Sequence, residues 1–325
     1  MEFIPGVFEV LQPSAPKERM TALEKKCAIR MENITKRFGS KVIANKDVNL
    51  ELYEGEILSL LGENGSGKTT LMNMLSGIYF PDEGQIYVHD KPVTIASPKD
   101  AFDLGIGMIH QHFKLVDLFT ATENIILGLE GKLDLNNARQ KVKDICDKYG
   151  FDIDPDMKIY DMSVSQKQTV EIVKVLYRGA DILILDEPTA VLTPQETDKL
   201  FAVMRNMKAD GKSLIIITHK LHEVLDVSDR VAVLRKGEYI GDVLTKDADQ
   251  QSLTDMMVGH SVSLNINRPT PVNVEPRLKI EGLTVFDELG VKRLDNVSFT
   301  VNAGEVLGVA GIAGSGQREL LESIA

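Results

Sequence analysis

Cysteine, long apolar stretches and a surplus of positive charge are all scarce in this chain of 325 residues. The two cysteines, Cys27 and Cys146, match neither a disulfide framework nor the spacing of metal ligands, which is typical of a reducing cytoplasm. No stretch approaches the ~18 consecutive apolar residues that a membrane-spanning helix needs. The net charge is −11, from 37 basic and 48 acidic side chains, which argues against nucleic acid as the main partner.

A complete phosphate-binding pattern, G-x-x-x-x-G-K-[ST], occupies residues 62–69. The apolar run Ile57–Leu61 predicts a strand before it, and residues 70–75 predict a helix after it, whose N-terminus favours phosphate. Lys68 is predicted to reach the β- and γ-phosphates, and the Thr69 hydroxyl to bind Mg²⁺. A tight turn that binds nothing is the alternative, which the lysine and threonine disfavour. The predicted nucleotide-binding residues of this loop are Gly62, Asn64, Gly65, Ser66, Gly67, Lys68, Thr69 and Thr70.

The chain begins the same domain twice. An offset of 249 residues, from Gly62 to Gly311, aligns residues 29–62 with residues 278–311 without a gap. In the second copy, Gln317 and Arg318 stand where the first phosphate loop has its lysine and threonine. That second loop is therefore predicted to bind nucleotide weakly, if at all. The second copy stops just inside the helix after its loop, which suggests a fragment or a truncated product of a tandem protein.

We therefore expect four segments in the chain. They are a disordered leader at residues 1–26 without the basic segment of a secretory signal, a first nucleotide-binding domain at 27–260, a proline-broken linker at 261–276, and the start of a second, degenerate domain at 277–325. A strand-like run in the second copy, residues 297–301, is expected to lack a sheet. It is predicted to be poorly ordered or to pair with an edge of the first domain.

Two carboxylates, Asp186 and Glu187, follow the buried strand that is predicted at residues 180–185. Asp186 is predicted to hold Mg²⁺ through water and Glu187 to act as the general base, because such a strand end faces the phosphate crevice of an α/β sheet. An acidic loop of no function is the alternative. His219 follows a second core strand, Ser213–Thr218, and its place in the same crevice favours contact with the γ-phosphate over the purely structural role usual for a lone histidine.

Gln111 follows a short apolar strand and is predicted to bind Mg²⁺ or the attacking water. Its neighbours His110 and His112 lack a third ligand nearby, which disfavours a metal site of their own. Phe38, in a predicted turn, either stacks on adenine or is an ordinary apolar turn residue. Between Gln111 and Asp186 the apolar period becomes helical, which predicts an inserted helical subdomain.

In order and spacing, these motifs resemble the nucleotide-binding subunits of ABC transporters. The set comprises the phosphate loop, Gln111, residues 162–166, residues 186–188 and His219. The resemblance implies an α/β P-loop NTPase fold, with a mainly parallel core sheet, an antiparallel β subdomain and the helical insert. It implies catalytic roles for Lys68, Glu187 and His219, and Mg²⁺ ligation by Thr69, Gln111 and Asp186.

Residues 163–166 resemble the family's signature loop, with Ser163, Val164, Ser165 and Gln166 in its positions. Ser165 departs from the pattern, since the family has glycine there. In the family this loop crosses a dimer interface to close over ATP held by the other domain. The chain is therefore expected to hydrolyse ATP slowly unless a second domain or a second copy supplies that loop.

The chain resembles the subfamily that serves simple-sugar and nucleoside importers. The resemblance lies in the degenerate second phosphate loop and in the sequences at residues 109–116 and 186–196. The His-Gln-His-Phe string at residues 110–113 is closer to the nucleoside members. The resemblance implies an ATPase that uses ATP and Mg²⁺ at the cytoplasmic face of the cell membrane. Its partners would be two transmembrane permease subunits and an extracytoplasmic substrate-binding protein. A soluble ABC ATPase acting on ribosomes or DNA, and a truncated nucleotide-binding subunit without turnover, are the alternatives.

Overall fold

The structure is a computed structural model in which the chain divides into two compact units, Met1–Val262 and Ser263–Ala325. It describes residues 26–39, 41–129, 131, 134–260, 274–287, 289–311 and 314–325. The predicted leader at 1–26 and linker at 261–276 lie outside the described residues, except for residue 26 and residues 274–276. Among the described helices, none has the length and apolar character required to cross a bilayer.

The described part of the first unit has ten strands. They are β1 (Cys27–Phe38), β2 (Val42–Tyr53), β3 (Ile57–Leu61), β4 (Glu83–Val88), β5 (Lys91–Val93), β6 (Ile106–Ile109), β7 (Ile182–Asp186), β8 (Ser213–Thr218), β9 (Arg230–Arg235) and β10 (Glu238–Leu244). Phe38 is the last residue of β1, so the turn predicted around it begins one residue later.

Eight α-helices accompany these strands in the described part of the unit. They are α1 (Lys68–Leu75), α2 (Pro98–Asp103), α3 (Ala121–Ile126), α4 (Leu135–Tyr149), α5 (Val164–Tyr177), α6 (Pro194–Ala209), α7 (Leu221–Val227) and α8 (Gln250–Val258). The helix predicted at residues 70–75 begins two residues earlier, because Lys68 and Thr69 already belong to α1.

The core is a six-stranded sheet in the order β10-β9-β3-β8-β7-β6. β9, β3, β8, β7 and β6 run parallel to their neighbours, and β10 is antiparallel to β9. Every residue of β3, β7 and β8 is buried. Helices cover both faces of a parallel sheet, which is why these strands are almost continuously apolar. The predicted parallel core is confirmed.

A second sheet, antiparallel and four-stranded, has the order β2-β1-β4-β5. The inward-facing residues of β1 and β2, among them Ile29, Met31 and Leu50, belong to the same apolar cluster as Leu71 of α1. This sheet therefore packs on α1 and the core sheet. The predicted antiparallel subdomain is confirmed.

The helical insert consists of α3, α4 and α5. Its core combines Ile125, Val142, Cys146, Val170 and Val173, all buried. Gly150, in the left-handed conformation with φ +84°, ends α4, and its N–H donates to the Cys146 carbonyl at 2.8 Å. The predicted helical subdomain is confirmed.

In the second unit, β11 (Pro276–Phe286) pairs antiparallel with β12 (Lys292–Asn302), and α9 (Gln317–Ile324) follows. These elements stand 249 residues after β1, β2 and α1 to within one residue at each end. The expectation that residues 297–301 lack a sheet is wrong, because they lie in β12 and pair with β11.

Candidate functional site

Four parallel strands end at one edge of the core sheet, and a loop with polar side chains follows each of them. β3 leads into the phosphate loop, β6 into Gln111, β7 into Asp186 and Glu187, and β8 into His219. Because β3, β8, β7 and β6 are consecutive neighbours in the sheet, their carboxyl ends bring these side chains to one crevice.

The phosphate loop requires glycine at two points where backbone approaches backbone. A Cβ at Gly62 would lie 2.3 Å from the Leu234 carbonyl oxygen, and one at Gly67 would lie 2.3 Å from that of Ala44. Gly67 also has a φ of +94° and directly precedes α1 without a side-chain cap. The first N–H groups of α1 therefore remain available to a ligand at the loop.

Two contacts from outside the motif support the loop. The buried Asn45 side chain of β2 donates from Nδ2 to the Gly67 carbonyl at 3.2 Å, and the Gly237 N–H donates to the Ser66 carbonyl at 3.1 Å. Nothing in the sequence motif points to residues 45 and 237, since their role depends on the packing of β2 and of the β9–β10 turn.

The Lys68 side chain is buried and turned back into the loop. Its Nζ donates to the carbonyl oxygens of Gly62, at 2.7 Å, and Glu63, at 2.9 Å. Burial lowers the pKa of Lys68, and the nearby carboxylates of Glu187 and Asp186 oppose that effect. The ammonium is thus positioned at the mouth of a loop whose N–H groups favour anions.

Asp186 is 7% exposed and accepts a hydrogen bond from the Thr69 hydroxyl. Burial raises the pKa of this carboxyl, while the Thr69 hydrogen bond and the Lys68 charge lower it. A carboxylate and a hydroxyl in contact, at a loop that favours phosphates, fit the oxygen ligands with which proteins hold Mg²⁺.

The Glu187 carboxylate lies between two side chains from the neighbouring strand ends. Gln111 Nε2 donates to its Oε2 at 3.2 Å, and His219 Nδ1 lies 3.1 Å from its Oε1. Its backbone has a φ of +46°, unusual for a residue other than glycine. The three side chains predicted to act on the attacking water thus come together in the structure.

Phe38 is 39% exposed and contacts a residue that the sequence did not single out. Its ring meets that of Tyr79 edge to face, with centroids 5.1 Å apart, and Lys36 Nζ lies 5.7 Å from its centroid. Tyr79 follows α1, so the two rings approach only when β1 and α1 pack together.

Ser163 is the N-cap of α5, and residues 164–166 form the first turn of that helix. The Ser163 hydroxyl accepts from the Gln166 N–H at 3.3 Å, while Gln166 Oε1 accepts from the Ser163 N–H at 2.9 Å. Ser165 hydrogen bonds to Glu196 of α6. This signature turn is half-buried to exposed, with Val164 at 44%, and its contacts are with α5 and α6.

The other predicted residues of the phosphate loop differ in exposure. Asn64 and Gly65 are exposed, Ser66 is buried and Thr70 is half-buried. No group of three or more His, Cys, Asp or Glu side chains suited to a metal ion occurs in the described parts of the chain.

A family model described as "ABC transporter" matches residues 45–190, which contain the phosphate loop, Gln111, the signature turn, Asp186 and Glu187. The chain carries an ABC transporter domain.

Curated relatives of this ABC domain extend the match along the chain. Over 300 residues the chain is 50% identical to the nucleoside import ATP-binding protein NupA of Lactococcus lactis, covering 91% of this chain and 59% of that protein. The guanosine import ATP-binding protein NupO of Bacillus subtilis is 49% identical with the same coverages. The ribose import ATP-binding protein RbsA of Clostridium tetani is 39% identical, with coverages of 93% and 60%. The chain thus spans less than two thirds of the length of these relatives.

Solved structures match the fold of the ABC domain. The ADP conformation of MJ1267, an ATP-binding cassette of an ABC transporter, has a TM-score of 0.63 and 26% identity, covering 71% of this chain and 95% of that one. CbiO1 from Clostridium perfringens has a TM-score of 0.62 and 28% identity, with coverages of 69% and 90%. The predicted P-loop NTPase fold is confirmed.

Sequence reasoning found the side chains at the four strand ends of the ABC domain but missed those that support them. Asn45, Tyr79 and a buried polar group formed by Thr189, Lys220 and Glu223 were not predicted. Thr189 and Lys220 stand within two residues of predicted site residues, so proximity to the motif was the only signal available.

Proposed function

We propose that the chain is the ATP-binding and ATP-hydrolysing motor of an ABC importer for nucleosides or simple sugars. The observation that carries this proposal is the Glu187 carboxylate, held between Gln111 and His219 beside a phosphate loop. The names of the relatives favour an importer over a soluble ABC ATPase that acts on ribosomes or DNA.

In the proposed mechanism, the phosphate loop binds the triphosphate of ATP. The N–H groups at the start of α1 and the Lys68 ammonium hold the β- and γ-phosphates, so Lys68 exchanges its carbonyl partners for phosphate oxygens. Thr69, Asp186 and Gln111 would hold Mg²⁺, which would neutralise phosphate charge. Phe38, with Tyr79 against its edge, offers an apolar face for adenine.

Glu187 then orients and deprotonates the attacking water as the general base. Gln111 and His219 hold its two carboxylate oxygens from opposite sides. His219 follows β8 next to the phosphate loop, and its imidazole would sense the γ-phosphate in this mechanism.

The nucleoside class is favoured for the cargo. Two relatives named for nucleoside and guanosine import are 50% and 49% identical to the chain, against 39% for one named for ribose import. The His-Gln-His-Phe string at residues 110–113 points the same way. In this proposal, a separate extracytoplasmic protein binds the cargo.

Two transmembrane permease subunits are the proposed partners, with the chain held peripherally at the cytoplasmic face of the membrane. An exposed apolar surface follows Gln111: Val116, Leu118 and Phe119 are 38%, 71% and 37% exposed, and Tyr160 lies beside them through its N–H bond to Asp117. Such a surface on the segment between Gln111 and α3 suits the docking of another protein.

The proposal is tested with two variants. Lys68→Ala is expected to lose most MgATP affinity, and Glu187→Gln is expected to bind MgATP normally while hydrolysis falls about 10²- to 10⁴-fold, the usual contribution of a general base. Binding is measured with a fluorescent ATP analogue and hydrolysis by phosphate release. Lys148→Ala, which removes a pair with Asp210 and a contact with the Tyr149 ring, both outside the site, is the matched control. Unchanged affinity in Lys68→Ala would refute the proposal.

A further inference from the structure

A buried carboxylate outside the predicted site joins the loops that follow β7 and β8. Glu223, on α7, is 4% exposed. Its Oε2 accepts from the Thr189 hydroxyl at 2.5 Å and from the Thr218 hydroxyl at 3.5 Å. Its Oε1 accepts from the Lys220 ammonium at 2.9 Å. Both carboxylate oxygens are thus satisfied by groups from the end of β8 and from the loops that follow β7 and β8.

Lys220 links the same two loops a second time. Its Nζ donates to the Thr189 carbonyl at 2.8 Å and to the Thr189 hydroxyl at 3.2 Å. Its backbone N–H donates to the Thr218 hydroxyl at 3.1 Å. Thr189 and Thr218 are 1% and 2% exposed, so their hydrogen bonds to Glu223 are shielded from water, while the Lys220 side chain is 30% exposed.

This polar group lies beside a strained residue. Glu187 has a φ of +46°, a left-handed conformation that a residue other than glycine keeps only when its surroundings enforce it. Its N–H donates to the Ile217 carbonyl of β8 at 2.9 Å, and Thr189 follows two residues later. The backbone around Glu187 is therefore held at two points: at its own N–H by β8, and two residues later, at Thr189, by Glu223 and Lys220.

His219 depends on the same group for a different reason. It is exposed and stands between Thr218 and Lys220, which both contact Glu223. Its own link to the site is the 3.1 Å contact between its Nδ1 and Glu187 Oε1. Fixing both of its neighbours fixes the backbone from which the imidazole reaches Glu187.

We propose that Glu223 is a positioning residue, which locks the loop carrying Glu187 to the loop carrying His219 so that the two side chains meet. The proposal rests on the ATP hydrolysis proposed above and names the support that this chemistry needs. Glu223 is buried and acts through Thr189, Thr218 and Lys220.

The test compares Glu223→Ala and Glu223→Gln with Glu56→Gln. Glu223→Ala is expected to lower kcat about 10- to 100-fold, because misplacement of a catalytic group by about 1 Å costs that much, and to leave the Kd for MgATP within about twofold. Glu223→Gln keeps one oxygen that can accept from the threonine hydroxyls, and its kcat is expected to be much closer to the wild-type value than that of Glu223→Ala. Glu56 is equally buried, at 4%, but pairs with Arg230 at the amino end of β3, so Glu56→Gln is expected to leave kcat unchanged.

A wild-type kcat in Glu223→Ala, or an equal loss in Glu56→Gln, overturns the inference. A wild-type chain that does not hydrolyse ATP refutes the proposed function instead. NMR of the His219 ring then decides the positioning role, with its signal assigned among six histidines by His219→Gln. The chemical shift of the His219 ring is expected to change in Glu223→Ala and not in Glu56→Gln. An unchanged shift in Glu223→Ala would refute the positioning role of Glu223.

Discussion

Gly67 combines a left-handed backbone with a close approach to a second strand. Its φ is +94° and a Cβ there would lie 2.3 Å from the Ala44 carbonyl. Gly67→Ala is therefore expected to destabilise the fold by about 1–3 kcal/mol and to weaken MgATP binding, because the loop must shift. Denaturant unfolding and nucleotide titration measure the two effects.

Gly128→Ala is the control for this change. Gly128 has a comparable φ of +81°, but nothing lies within 4 Å of a Cβ built there. The control should therefore show the backbone strain alone and bind MgATP as the wild type does. Equal effects of the two substitutions on binding would mean that the close approach to Ala44 is unimportant.

Both thiols are expected to react slowly near neutral pH. Burial, followed by the Glu51 carboxylate, raises the pKa of Cys27 to about 11, and burial raises the pKa of Cys146 to about 11. A raised pKa keeps each thiol neutral, so iodoacetamide alkylation of the folded chain should increase only as the pH rises from about 9 towards 11. The denatured chain should react at lower pH. Rapid alkylation of the folded chain at pH 8 would contradict these environments.

At the scale of the element, α5 and α6 both begin with capping boxes, Ser163 with Gln166 and Thr193 with Glu196. Replacing either cap by alanine is expected to cost about 1 kcal/mol of stability in urea unfolding, because an N–H of the first helical turn loses its acceptor. Under the proposed function only Ser163→Ala should also change ATP turnover.

Asp249→Ala, which removes the N-cap of α8, is the control for the two cap substitutions. Asp249 forms a capping box with Ser252 that does not involve the site, so its loss should lower stability by a similar amount and leave turnover intact. If Ser163→Ala changes turnover no more than this variant does, the signature turn has only a structural role.

At the scale of the whole molecule, a buried ion pair connects the two sheets of the first unit. Arg230 of β9 contacts the Glu56 carboxylate at 2.9 Å and the Glu51 carbonyl of β2 at 2.6 Å. Arg230→Met is expected to cost about 3–5 kcal/mol, because Glu56 stays buried without its partner. Arg205→Met, which removes the surface pair with Asp226, should cost less than about 1 kcal/mol. Comparable losses of stability in the two variants would show that the Arg230–Glu56 pair stabilises the fold no more than a surface pair does.

Turnover is expected to rise with protein concentration. The signature turn hydrogen bonds within α5 and to Glu196 of α6, and its exposed side chains are available to a second nucleotide-binding domain. If that turn must close over nucleotide on another domain, dilution should slow hydrolysis per chain. Phosphate release measured over a range of concentrations tests this, and a constant specific rate would reject pairing through residues 163–166.

Much of this protein follows from local sequence. The glycines of the phosphate loop, the apolar strands β3, β7 and β8, and the polar residues after them were all predictable, because a buried parallel strand must be apolar and its carboxyl end meets the crevice. The 249-residue repeat likewise predicted where β11, β12 and α9 lie. The element boundaries were off by one or two residues at Phe38 and Lys68.

Tertiary packing alone decided the rest. Residues 306–310 match β3 in the repeat, yet they form no strand among the described residues of the second unit, and Val306 is 97% exposed. A strand of this kind exists only where neighbours satisfy its backbone, as β8 and β9 do for β3. In the same way, Glu223 meets Thr189 only because β7 and β8 are adjacent in the sheet. Sequence fixes which groups follow each strand, but hydrogen bonds between distant segments determine which of them touch.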